Sequence, residues 1–153
     1  RFPHLRWQPS DPEPAAQHSI AAWTGEARLG NVEPPIALDA AAANWDVAGI
    51  AAILCINMVH ISPWEASEGL FAGAGRLLQA DAPLILYGPF LEADVETAPS
   101  NLSFDASLKT RDPRWGLRDL SEVTALAERC GFRMADRRAM PANNLMLRFI
   151  RNA

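Results

Sequence analysis

The sequence predicts a doubly wound α/β fold with a mainly parallel sheet that ends in an antiparallel hairpin. Three observations carry that expectation. Apolar runs of strand length alternate with stretches of helical period, the signature of β-α-β units. The run from Ile50 to Ile56 is almost continuously apolar, as strands covered on both faces are. Phe132 to Arg138 and Leu145 to Ile150 are separated only by a short Met140-Pro141-Ala142-Asn143-Asn144 connection, which suits antiparallel neighbours and not a crossover.

Taken in order, Leu5 to Gln8 reads as a first strand, stopped by Pro9 and Pro12. A helix is expected from Ser19, with Ile20, Trp23 and Ala27 on one face, ended by Gly30 and Asn31. A second strand is expected at Ile36 to Leu38, stopped by Asp39, and a third at Ile50 to Ile56. Ser62-Pro63-Trp64-Glu65 has the form of a capping box with proline at the first helical position. Leu70, Phe71, Ala74, Leu77 and Leu78 supply the core-facing stripe of the helix that follows. Leu84 to Tyr87 is the next strand, broken by Gly88-Pro89. Residues 92–118 show no sustained period and read as a long loop of the kind that serves as a substrate lid. Asp119 and Glu122 open a last helix, closed by Gly131.

The 153 residues are 49% hydrophobic and 21% charged, the content of one globular domain with a core. A net charge of -4 gives no basic field for a nucleic-acid backbone, and Arg137 with Arg138 is only a local pair. The apolar stretch around Ile50 to Val59 is far short of the roughly 20 residues that cross a bilayer, so no membrane partner is expected. Cys55 and Cys130 match no disulfide framework or metal-ligand spacing and read as free thiols of a cytoplasmic protein.

In an open parallel sheet, ligands bind beyond the carboxyl ends of the strands. The polar residues that stop each apolar run are therefore the candidates: Asp11, Asp39, Asn57 with His60, and Tyr87. A carboxylate there accepts hydrogen bonds from ribose hydroxyls or an adenine amino group. The alternative is local: Asp11 can close an Asx turn before Pro12, and Asp39 can cap a short helix. His60, with an unperturbed pKa of about 6.5, has the chemistry of a general base, and equally that of a hydrogen-bonded structural residue. Trp64, Trp115, Tyr87 and Phe90 could wall a pocket for an aromatic base or a sulfonium cation. Asn101, Asp105, Arg111, Asp112 and Arg118, with Asp119 just beyond, mix both charges along the 92–118 segment, the make-up of a solvated surface or of a lid that tightens over substrate, and a lid is the expectation.

Six blocks carry a resemblance. They are Trp7-Gln8-Pro9-Ser10-Asp11, Asn57-Met58-Val59-His60-Ile61-Ser62-Pro63-Trp64-Glu65, Leu86-Tyr87-Gly88-Pro89-Phe90, Thr97-Ala98-Pro99-Ser100-Asn101, Arg111-Asp112-Pro113-Arg114-Trp115-Gly116 and Met140-Pro141-Ala142-Asn143-Asn144. In this order they resemble the signatures of the methyltransferase-like protein 26 family, once catalogued only as a domain of unknown function. The resemblance implies a Rossmann-like class I methyltransferase sheet of order 3-2-1-4-5-7-6 with strand 7 antiparallel, strand 2 starting at Leu5 and strand 7 at Leu145. It implies S-adenosylmethionine as cofactor, with Asp11 at the ribose, Asp39 and Ala40 by the adenine, and Asn57 and Met58, up to His60, along the methionine portion. His60 and Tyr87 are then the catalytic candidates, and Trp64, Phe90, Asn101, Arg111 and Trp115 the substrate-binding ones.

The expected activity is methyl transfer to a small-molecule acceptor; the competing expectation is a non-catalytic binding or interaction module. The family's glycine-rich turn after strand 1 has no counterpart, and Gly73 with Gly75 falls inside a helix. A chain beginning at Arg1 is therefore expected to lack strand 1 and that turn, leaving an unpaired sheet edge through which a second copy could associate.

Overall fold

The computed structural model describes residues 2–153 and divides into two compact units, one up to residue 42 and one from residue 43. The single-domain expectation is refined to that extent. In the first unit, α1 (Pro14–Glu26) begins five residues before the expected Ser19, because Pro14 fits the first helical turn, where no N–H is needed. The two strands expected there shrink to isolated parallel bridges, Trp7 with Val32 and Ser10 with Ile36. Pro9, Pro34 and Pro35 remove ladder donors from both segments. The Gln8 side chain compensates by donating to the Pro34 carbonyl at 2.7 Å.

The second unit holds β1 (Ile53–Ile56), α2 (Trp64–Leu77), β2 (Pro83–Gly88), α3 (Pro99–Arg111), α4 (Leu120–Arg129), β3 (Phe132–Met140) and β4 (Asn144–Arg151). Its sheet runs β1-β2-β4-β3. β1 and β2 pair in parallel, and β4 is antiparallel to both β2 and β3. Three strands thus point one way and the penultimate one in space is reversed, as the 4-5-7-6 portion of the implied order requires.

The core lies on one face of this sheet. Leu84, Leu86, Leu147, Phe149 and Phe132 meet Leu70, Phe71 and Ala74 of α2 and Val123, Leu126 and Ala127 of α4. Phe71 takes Phe132 and Phe149 edge-on at 5.9 and 5.3 Å between ring centroids, a geometry favoured by ring quadrupoles. The Asp119 cap forms as the sequence predicts, its carboxylate accepting from the Ser121 amide at 2.7 Å.

Three expectations for this unit need correction. β1 starts only at Ile53 and is covered on one face: Cys55 is buried, whereas Leu54 and Ile56 are 47% and 56% exposed. It is the last strand of the sheet on that side, so its apolar run records a face that these residues leave open. The capping box at Ser62 does not form. Pro63 is the N-cap without a side-chain bond, because the Ser62 hydroxyl instead donates to the Met58 carbonyl at 2.7 Å. Residues 92–118 are not a loop. They contain α3, which starts with proline in its first turn and buries only Asn101 and Leu108, too few to print a stripe on the sequence.

Candidate functional site

The most unusual geometry lies at the carboxyl ends of β1 and β2. β1 stops at Asn57, which has a left-handed backbone (φ 58°) and whose amide still donates to the Tyr87 carbonyl at 2.8 Å. The chain then closes a single 3-10 turn, Met58–His60, that swings the His60 ring into the interior. His60 is fully buried, and its ring meets Phe90 edge-on at 4.7 Å between centroids.

Neither ring nitrogen of His60 has a hydrogen-bond partner, and the Asn57 side-chain oxygen is buried and unpartnered beside it. Gly88 makes this arrangement fit. A Cβ placed there would stand 2.6 Å from His60 Nε2 and 3.0 Å from Asn57 Oδ1, so any larger residue would collide with both. Each unpaired buried polar atom costs about 1–3 kcal/mol, so three of them at one corner call for a reason, a catalytic role or a bound partner among them. Burial first, then the nearby Arg118 cation, pushes the His60 pKa down to about 4, while the polar backbone of Gly116 near the ring works the other way. The imidazole is therefore neutral at pH 7.

The His60 turn is clasped from outside by the residues that follow α3. The Gly116 amide donates to the His60 carbonyl at 3.0 Å. Arg118 donates to the Val59 carbonyl at 2.8 Å and the Ser62 carbonyl at 2.6 Å, with its guanidinium 5.6 Å from the Trp64 ring centroid. Leu117 in turn receives support from the Asp105 carboxylate, which accepts from its amide at 2.8 Å.

Phe90 also lines a hollow of about 190 Å³, bounded by the 92–98 connection, the first turn of α3 and the β3–β4 turn. Asn101 is buried in its wall and donates to the Asn143 carbonyl at 3.0 Å. Ala142 and Asn143, consecutive left-handed residues (φ 58° and 56°), fold that turn over the hollow.

The remaining candidates are distributed as follows. Met58 is half-buried in the His60 turn and packs against the core. Tyr87 pairs with Ile56 and Met146 and alternates with buried Leu86 and Gly88, so its side chain is on the sheet face away from the core and from His60. Arg111 and Trp115 stack on each other, with 4.9 Å from guanidinium to ring centroid. Asp11, Asp39 and Ala40 belong to the first unit. There the Asp11 carboxylate accepts from the Glu13 amide and the Asp39 carboxylate from the Ala41 amide, both at 2.9 Å, which is the local turn-forming reading. In the sequence Gly88 marks only a strand break and Arg118 only one charge of the 92–118 segment. Gly88 bears on the site only through contacts across strands, and nothing in its own neighbourhood of sequence signals them. Among the described residues no group of three or more His, Cys, Asp or Glu is placed to hold a metal, and no helix is long and apolar enough to cross a membrane.

A family profile described as "Protein of unknown function (DUF938)" matches residues 1–151. The chain belongs to that family. Solved structures resemble this DUF938 member over nearly its whole length. An O-methyltransferase family protein from Burkholderia thailandensis superposes with a TM-score of 0.84 at 15% identity, covering 99% of this chain and 45% of that one. The S-adenosylmethionine-dependent methyltransferase SibL gives 0.79 at 20% identity, covering 99% and 45%. A pericyclic reaction enzyme gives 0.78 at 13% identity, covering 99% and 38%. At these identities the likeness establishes the class I methyltransferase fold, and this chain spans less than half the length of each of the three.

Proposed function

We propose that this protein takes part in S-adenosylmethionine-dependent methyl transfer to a small-molecule acceptor. The observation that carries the reading is the corner formed by Asn57, His60 and Gly88: orphaned polar atoms, kept accessible to each other by a missing Cβ, at the end of the sheet where this fold binds ligands. That donor and acceptor set fits the polar methionine end of the cofactor, with the Asn57 carbonyl and the neutral His60 ring as its partners. When bound, the cofactor supplies a sulfonium methyl that an acceptor oxygen or nitrogen takes in line, sulfur keeping the bonding electron pair and the acceptor losing its proton.

The residues of this chain then act mainly by positioning. The Arg118 clasp fixes the turn that presents Asn57 and His60, and Phe90, whose ring meets His60, also lines the acceptor hollow and so borders both. His60, buried and far below its ordinary pKa, serves as a neutral hydrogen-bonding group and as a base only toward a proton delivered to its ring. Ser62 is no nucleophile for His60, since its hydroxyl is committed to Met58.

Calorimetry with S-adenosylmethionine, on residues 1–153 and on any longer natural form, tests the proposal. Saturable one-site binding by either form supports it. Binding by neither, with the protein folded, overturns it in favour of a non-catalytic binding module.

A further inference from the structure

The hollow lined by Phe90 has a charge arrangement that selects its occupant. Three ionisable side chains line it: Glu92, Glu96 and Arg137. Arg137 is the one cation among them, and it is already engaged, its guanidinium forked onto the two Glu92 oxygens, with Nε to Oε2 at 3.1 Å. Such two-pronged pairs are geometrically specific and strong for their exposure. The Glu92 carboxylate is half-buried, so the pair is partly shielded from solvent. What remains for a ligand is the Glu96 carboxylate, the Asn143 amide, the side-chain carbonyls of Asn101 and Asn144, whose NH2 groups already donate to the Asn143 carbonyl and to the Pro141 and Ala142 carbonyls, and an apolar floor of Phe90 and Leu145. Carboxylates and amide carbonyls accept hydrogen bonds. An anion entering here finds no uncommitted cation and faces one excess negative charge. The hollow is partly open to solvent, and its volume of about 190 Å³ is of the order that one ring fills, about 150 Å³ for benzene in an enclosed apolar cavity.

We propose that this hollow binds a small one-ring molecule bearing a hydroxyl or amine donor, and that Glu92 excludes carboxylic acids by holding Arg137. The identification of that molecule as the methyl acceptor rests on the reading above; the binding preference does not. Three probes of equal ring size separate the cases: benzylamine, phenol and benzoate, titrated into the ¹⁵N-labelled chain without cofactor and followed at the amides of Asn101, Asn143 and Leu145.

Benzylamine and phenol are expected to move these resonances, and benzoate to leave them in place. In Glu92→Gln the freed guanidinium is expected to bring benzoate binding up by about tenfold. Arg137→Gln is the second variant: it frees the Glu92 carboxylate, is expected to tighten benzylamine by about tenfold, and leaves benzoate excluded. Benzoate binding to the unmodified chain as well as benzylamine does, silence of all three probes at these amides, or an unchanged preference in both variants overturns the proposal. None of these outcomes depends on S-adenosylmethionine, so failure here and failure of calorimetry with the cofactor are read separately.

Discussion

Asp11 and Asp39 in the first unit and the Asn57/His60 corner in the second are all polar groups at the ends of apolar runs, and their hydrogen-bonding states are opposite. Each carboxylate accepts from a backbone amide two residues ahead, so a local turn accounts for it. The Asn57 oxygen and both His60 nitrogens are buried with no partner, so no local turn accounts for them. A polar side chain whose position is explained by its own backbone says little about ligands, whereas one held at a cost in stability points outward to something that repays it. The corner is therefore the firmer guide to function, although the acids were equally visible in the sequence.

The largest effect expected from breaking this contrast comes from Gly88→Ala. The new Cβ would be 2.6 Å from His60 Nε2, so the corner must open. The expected result is a destabilisation of about 1–3 kcal/mol in urea unfolding, together with loss of cofactor binding. An alanine variant of unchanged stability and affinity would remove the reason given for glycine there.

The second effect is on pH dependence. His60 has a folded pKa of about 4, against about 6.5 unfolded. The unfolded chain therefore binds the proton more readily between those values, and stability contributed by the neutral ring is present above pH 6.5 and lost as pH falls toward 4. Across that window the loss is on the order of 3 kcal/mol. Unfolding curves at pH 7, 5.5 and 4.5 should show His60→Gln with a visibly flatter profile than the parent chain; parallel profiles would contradict the assignment.

Asp11→Asn and Asp39→Asn sharpen the other side of the comparison. Asparagine keeps the side-chain acceptor used in each turn, so urea unfolding should show a change of no more than about 0.5 kcal/mol; a larger loss would contradict the local-turn account of these acids. The smallest effect is expected at Leu54→Thr and Ile56→Thr. Both side chains are exposed on the outer face of β1, and each substitution should shift stability by about 0.5 kcal/mol or less.

How much could be read in advance follows the same physics. β2, β4 and α4 were legible because they bury one face with its proper period and carry local stops: Gly88-Pro89 after β2, Asp119 before α4. The reversed strand was legible from the length of its connection alone. α3 was not, because a helix that buries only Asn101 and Leu108 leaves no stripe, and the bond that ties its Asp105 carboxylate to the Leu117 amide is made only through space. The Ser62 cap failed although its sequence pattern was correct, since the preceding 3-10 turn offered the hydroxyl a nearer acceptor. Within the site, His60 and Asn57 could be named from their place at a strand end, whereas their orphaned state, the room left by Gly88 and the clasp by Arg118 exist only once distant segments meet.

The most direct test of the central claim is the response of the histidine rings to S-adenosylhomocysteine. The chain has three histidines, His4, His18 and His60, and ¹⁵N-labelling of their imidazoles, with His60→Gln for assignment, identifies the buried one. Titration to saturation should move the His60 ring resonances and leave those of His4 and His18 where they were. Saturating ligand that leaves the His60 ring unmoved would show that its unpaired nitrogens serve something other than the cofactor.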